Sequence, residues 1–307
     1  MTLQQMQYIV AVDKYRHFVK AADACGVTQS TLSTMIRNLE SELDVTIFDR
    51  SAHPVCPTDI GEKIISQAKV VIYNMEQLNE IPLMEKAISG GNVVIGIIPT
   101  VAPYIIPKFF NKVHKYPGLD VHIIENTTAN LVDKLKKAEI DIAILATPLG
   151  EIDTLEIPLY YERFYAYVSP DDPLWTQEMI GPNDLPGDEL WVLQEGHCFR
   201  KQVSTFCKMN TSHATAYESG SISTLIKVVD ENGGHTIIPE LEIPYLSELQ
   251  KQNIRPVAEP EPVREISMMI RNDYVKERIL NIISEIIKEI IPDNMLDSRL
   301  KKFAIKI

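Results

Sequence analysis

The sequence predicts an α/β protein in three parts: a winged helix-turn-helix domain over residues 1–58, a long linker helix over 59–90, and a two-lobed regulatory domain over 91–307. Three observations carry this reading. Residues 1–43 hold helical periodicities broken by a glycine-containing turn. From Asp59 apolar residues recur at three- and four-residue steps. After Gly90-Gly91 short apolar runs alternate with amphipathic segments, the pattern of a mostly parallel sheet with covering helices.

Composition sets the outer limits. A chain of 307 residues is long enough for two or three domains, and 45% hydrophobic with 23% charged residues describes a globular protein. No apolar run approaches the ~18 residues of a membrane span. The start, Met1-Thr2-Leu3-Gln4-Gln5, lacks a charged-then-apolar targeting pattern, so a cytoplasmic location and no membrane partner are expected. A net charge of -12 excludes a chain coated for nucleic acid, and DNA binding must be sought segment by segment. A glycine-rich phosphate loop, a metal-binding His-x-x-x-His pair and a serine nucleophile elbow are all missing, so neither cofactor nor metal is expected, nor enzymatic turnover.

In the first part, Met6, Ile9, Val10 and Val12 recur at helical spacing, a second helix follows from Val19 to Cys25, and Gly26-Val27-Thr28 makes the turn into a third helix ending at Leu43. That third helix opens with polar residues, which suits base edges in a major groove: Gln29, Ser30, Thr31, Ser33 and Thr34 are the expected readers, with Arg37 further along. Ile47 to Thr58 reads as a short β-wing from which Arg50 meets the phosphate backbone. Five basic against six acidic residues leave residues 1–58 at a net charge of -1. DNA affinity then requires Arg16, His17, Lys20, Arg37 and Arg50 on one face, and pairing of two copies.

The linker supplies a means of pairing. Ile60, Ile64, Ala68, Val71, Met75 and Leu78 form a coiled-coil-like seam, unless that face packs on its own domain. Pro82 is expected to kink or end the helix at Ile81.

Beyond the glycines, Val93–Ile98, Val121–Glu125 and Ile142–Ala146 read as strands, with helices at Val101–His114 and Ala129–Ala138 between them. Tyr160–Ser169 is a further strand, and Leu190–Leu193 starts a second α/β lobe that includes the turn and strand from Gly233 to Pro239. Ile266–Ile270 returns to the first lobe, and the apolar Leu280–Ile291 helix closes it. Lobe I is thus expected over about 91–163 and 265–307 and lobe II over about 164–264, the layout of a periplasmic-binding-protein-like effector domain. Ligands in such sheets sit at the carboxyl ends of strands. That rule selects Thr100 and Thr127-Thr128, and Arg264 can reach the same cleft. Helix capping is the alternative role for each threonine, and the two roles are compatible because a helix N-terminus is rich in donors.

The four cysteines, Cys25, Cys56, Cys198 and Cys207, are too scattered for a disulfide scaffold. Cys198 and Cys207 bracket a helix-compatible segment, Glu195-Gly196-His197-Cys198 to Phe206-Cys207. On one continuous helix they stand roughly 13 Å apart along the axis and on opposite faces, whereas a disulfide needs Cα atoms within about 7 Å. Bridging therefore requires the segment to unwind. Unpaired cysteines are more often small buried hydrophobes. Here the neighbouring His197, Arg200 and Lys201 favour the reactive thiolate instead.

Ala21-Ala22, Val27-Thr28-Gln29-Ser30, Leu32-Ser33, Ile36, Leu39-Glu40, Leu43 and Phe48-Asp49-Arg50 together resemble the N-terminal signature of LysR-type transcriptional regulators. The effector half is similar to their peroxide-sensing OxyR subfamily in Gly96 to Pro107, in Glu195-Gly196-His197-Cys198 with Arg200, in Phe206-Cys207, and in Pro260-Glu261-Pro262 leading to Arg264. The resemblance implies a regulator of oxidative-stress genes that binds double-stranded promoter DNA as a homotetramer, a dimer of dimers, and works with RNA polymerase. It implies hydrogen peroxide as the signal, Cys198 as the peroxidatic and Cys207 as the resolving cysteine, and Thr100, Thr128, His197 and Arg264 around the peroxide. A cellular thiol reductant such as glutaredoxin or thioredoxin would reset the bridge. Asp44 departs from the family, which has glycine there, and so do Pro82 and the acidic balance. A LysR-type regulator sensing a small metabolite, and a thiol peroxidase, are the alternative readings.

Overall fold

Thr2 starts the first helix, α1 (Leu3–Tyr15), with a capping box: its hydroxyl accepts the Gln5 N–H while the Gln5 side chain accepts the Thr2 N–H. His17 caps α2 (Phe18–Ala24) through Nδ1, and Thr28 caps α3 (Gln29–Leu43) through its hydroxyl. Asp44 ends α3 in the left-handed region at φ 53°, where aspartate is among the better tolerated residues, so the place of the family's glycine is filled without loss of the cap. The three helices enclose Ile9, Val12, Ala21, Leu32, Ile36 and Leu39. β1 (Phe48–Asp49) and β2 (Cys56–Pro57) pair antiparallel as the wing.

The computed structural model describes residues 1–85, 91–181, 184–185, 190–206, 219–258 and 261–305. The chain divides into two units, residues 1–88 with 136–139, and residues 89–135 with 140–307. In the first unit α4 (Asp59–Glu85) continues beyond Ile81 and contains Pro82. A proline inside a helix removes one backbone hydrogen bond and crowds one carbonyl. Of the expected seam, Ala68 is buried in the core of the first unit and Ile64 packs against it, whereas Ile60, Val71, Met75 and Leu78 are exposed, as is Ile81 one turn further on.

The second unit is built on one mixed sheet. Its strands are β3 (Gly91–Ile97), β4 (Leu119–Glu125), β5 (Ile142–Thr147), β6 (Thr154–Val168), β7 (Leu190–Trp191), β8 (His235–Pro239), β9 (Ile254–Pro256) and β10 (Val263–Arg271). The order is β4-β3-β5-β10-β6-β8-β7, with β9 also on β6. β3 is parallel to β4 and β5, as the alternating pattern predicts. β10 is antiparallel to both β5 and β6, because it re-enters from the other lobe in the opposite sense. β6 starts six residues before the expected Tyr160; Leu155, Ile157 and Leu159 already alternate, and Pro158 lies at the irregularity in the β6–β10 register, where a strand tolerates a missing donor.

The helices are α5 (Ala102–Val113), α6 (Thr128–Lys136), α7 (Cys198–Phe206), α8 (Ile222–Asn232), α9 (Glu248–Lys251) and α10 (Glu277–Lys288). Two apolar cores result. One gathers β3, β5, β10, α5 and α10; the other gathers the end of β6 with α7, α8 and β8. β6 passes from the first, at Tyr160, to the second, at Phe164. Neighbours at the start of α7 divide the same way: Cys198 joins the first core, Phe199 and Val203 the second. α7 therefore begins where the two cores meet. Among the described residues no helix is long and apolar enough to cross a membrane.

Candidate functional site

Cys198 is the first residue of α7 and is buried, with a free thiol. The unpaired N–H groups and positive end of a helix favour an anion at that place. Gly196 makes the approach possible. It stands at φ +92°, and a Cβ at that residue would meet only Thr127 at ordinary contact distance, so backbone conformation rather than space demands glycine. The turn sets His197-Cys198 against the chain entering α6.

Of the basic residues expected near the sulfur, Arg264 supplies the charge, and Arg200, Lys201 and His197 do not. Arg200 donates to the Leu193 carbonyl, and Lys201 is exposed. His197 is buried, and that burial pushes its imidazole down from the ordinary histidine value, so it serves as a neutral hydrogen-bonding group rather than as the cation expected from sequence. The cation is Arg264, fully buried near the start of β10 and stacked over the Phe199 ring at 5.1 Å. Burial works against its charge, but the fields of Glu162, then Tyr160 and Cys198, outweigh it and raise its pKa.

Arg264 is fixed on both sides. Nε and Nη2 reach Glu162 Oε2 at 2.7 and 2.6 Å; Nη1 donates to Thr100 Oγ1 and Nη2 to the Thr100 carbonyl, each at 3.0 Å. Thr100 thus anchors the arginine and does not cap α5, whose cap residue, Val101, makes no side-chain bond. Thr128 is the first residue of α6 and is buried, with no hydrogen-bond partner for its hydroxyl among the described residues. The structure brings Thr100 and Arg264 into direct contact, puts Cys198 in the field of Arg264, and leaves Thr128 with an unmet hydrogen-bonding group. Cys207 lies outside the described residues. The segment leading to it is helical through Phe206.

Two further residues were missed from sequence. Gln202 is fully buried, and neither atom of its amide has a partner among the described residues. It follows Cys198 by four residues and so shares its face of α7; that spacing was the available signal. Glu162 carried no signal, since its partner is 102 residues away in sequence.

In the first unit, Gln29, Ser30, Thr31, Thr34 and Arg37 are exposed along the start of α3. Ser33 is corrected: it is buried, because it follows Leu32 on the side that packs inward. Ser30 and Thr31 are tied to the Thr28 hydroxyl at 3.0 and 2.8 Å. Arg50 pairs with Glu40 at 2.7 Å and lies over the Phe18 ring, which makes it a wing anchor. Arg16 pairs with Asp13 and His17 is a cap, so these basic residues are partly committed within the fold; Lys20 is exposed.

Residues 3–62 match the bacterial regulatory helix-turn-helix protein, lysR family, and residues 87–289 match the LysR substrate binding domain. The chain belongs to the LysR family, in its OxyR branch. A hydrogen peroxide-inducible genes activator of Pectobacterium carotovorum subsp. carotovorum is 33% identical over 273 residues, covering 88% of this chain and 90% of the relative. A full-length OxyR variant from Pseudomonas aeruginosa superposes with a TM-score of 0.79 at 32% identity, over 94% of this chain and 98% of that one. A Corynebacterium glutamicum OxyR variant with hydrogen peroxide bound gives a TM-score of 0.62 at 26% identity, over 100% and 97% of the two chains. In this LysR-family chain the Cys198–Arg264 cluster lies where the two cores of the substrate binding domain meet.

Proposed function

We propose that this protein is a cytoplasmic, DNA-binding transcriptional regulator switched by hydrogen peroxide through reversible oxidation of Cys198. The observation that carries the reading is a buried cysteine at the start of a helix in the field of a buried arginine, itself held on Thr100. The Cys198 thiolate attacks one peroxide oxygen. The O–O bond breaks, and the departing hydroxide takes a proton and leaves as water, so the sulfur becomes a sulfenic acid. Arg264, the Thr128 hydroxyl and neutral His197 are the groups that favour the developing charge. The Cys207 thiol then displaces the second water and forms the disulfide. Two electrons pass from the two thiols to the peroxide, and a thiol reductant such as glutaredoxin or thioredoxin returns them. Bridging requires α7 to unwind, because residues nine apart on a continuous helix would stand too far from each other to bond.

The readout belongs to the first unit. Residues 1–58 present Gln29, Ser30, Thr31, Thr34 and Arg37 to promoter DNA, residues 59–90 pair two copies along the exposed stripe of α4, and residues 91–307 hold the sensor. Pairs of such dimers form the tetramer that acts with RNA polymerase. The decisive test is mass spectrometry after one equivalent of peroxide. A Cys198–Cys207 bridge is expected in the native chain, and sulfenic acid on Cys198 without a bridge in Cys207→Ser. A native chain that stays reduced while its DNA binding responds to a metabolite supports the metabolite-sensing alternative.

A further inference from the structure

We propose that Glu162 is a positioning residue for the peroxide reaction: it holds the Arg264 guanidinium on Thr100 and shares that cation with the Cys198 sulfur. The proposal rests on the reading of Cys198 given above. Glu162 and Arg264 stand opposite each other in the register of β6 and β10. Both are fully buried, so no solvent screens the contact. One carboxylate oxygen takes Nε and Nη2 of the arginine at 2.7 and 2.6 Å, and the other accepts the Leu241 N–H at 2.9 Å. Glu162 therefore ties the arginine to the 3-10 helix Glu240–Tyr245, while the arginine's other donors reach across to Thr100.

The groups facing this cluster can be named from each element. β6 contributes Tyr160, α5 contributes Tyr104, the 3-10 helix contributes Glu240 and Glu242, and the start of α7 contributes Phe199, with His197 just before it. Glu242 is engaged by the Tyr104 hydroxyl at 2.6 Å, and Glu240 by Arg163 at 3.5 Å. Burial pushes the Glu162 carboxyl up, and Arg264 and the Leu241 N–H favour its ionised form. With Glu162 ionised, Arg264 is largely neutralised before the sulfur ionises. A Cys198 thiolate then becomes a second anion on one cation. Glu162 consequently fixes where the guanidinium lies and takes a share of the charge that faces the sulfur.

Site-specific alkylation tests this without requiring peroxide chemistry. Iodoacetamide labelling of the Cys198 peptide is followed against pH in the full-length native chain, E162Q, R264Q and the double variant. E162Q keeps an oxygen acceptor and removes the negative charge. Its titration midpoint is expected to fall by about one pH unit, which is about tenfold more thiolate on the acid side. R264Q is expected to move the midpoint upward, and adding E162Q to R264Q to move it no further. Equal midpoints in the native chain and E162Q overturn the proposal, as does an E162Q shift that persists without Arg264. Should E162Q not fold, the double variant, which leaves no unpaired buried charge, is compared with R264Q alone: coincident midpoints support the proposal and a residual shift overturns it. Peroxide oxidation of the native chain is scored separately, so a failed sensor reading and a failed role for Glu162 give different results.

Discussion

His197 and Glu162 are buried near the same sulfur and respond to pH in opposite ways. Burial lowers the His197 pKa, so below about pH 6.5, the unfolded-state value, the unfolded chain binds more protons than the folded one. The His197 contribution to stability is complete above that pH and declines as pH falls toward the folded-state value. Glu162 has a raised pKa, so its contribution is complete below the unfolded carboxylate range and declines as pH rises through the folded-state value. His197→Gln is therefore expected to flatten the acid-side loss of stability, seen as a smaller change in urea midpoint between pH 7 and 5 than in the native chain. An unchanged slope would mean that the histidine binds its proton equally well in the folded and the unfolded chain. Arg50 illustrates a different lesson at this scale. A basic residue in a wing invites a phosphate, and here pairing with Glu40 and contact with the Phe18 ring fix where that charge stands.

At the scale of elements, the turn before α7 controls where the reactive cysteine lies. Gly196→Ala places a side chain at φ +92°, a conformation costing about 1–2 kcal/mol. The expected results are a lower thermal midpoint and slower Cys198 oxidation; normal oxidation with the lower midpoint would show that the turn serves folding alone. Much of this architecture was legible beforehand, because local chemistry carries it. Thr2 with Gln5 and Thr28 before α3 announce helix starts, and the Glu195–Cys207 segment announces the reactive helix. Contacts between distant strands were not legible. The antiparallel return of β10, the Glu162–Arg264 pair and the burial of Ser33 each depend on tertiary packing that no local pattern encodes. Of the two effects expected of Pro82, ending the helix at Ile81 does not occur, because propensity describes an average helix and this one continues to Glu85. Gln202 was overlooked because a glutamine following Arg200-Lys201 usually faces water.

Across the whole molecule, the exposed stripe on α4 is the surface on which the proposed pairing of two copies rests. Val71, Met75, Leu78 and Ile81 are 38%, 42%, 58% and 46% exposed on a helix whose other apolar face is already used by its own core. Leu78→Glu is expected to shift the chain toward the monomer in analytical ultracentrifugation and to weaken promoter binding, since the DNA-binding part carries too little net positive charge to bind well as a single copy. An assembly unchanged by this substitution would place the pairing surface elsewhere. The other consequence comes from β6. Its residues 154–163 pair with β10 and its residues 164–168 pair with β8, so one uninterrupted strand is shared by both apolar cores. Amides along such a strand are released to deuterium only when both cores open together, whereas the proposed bridge asks only α7 to open. In exchange kinetics the second unit should behave as one slow body carrying a fast segment, with the reactive cysteine at the boundary between the two clocks.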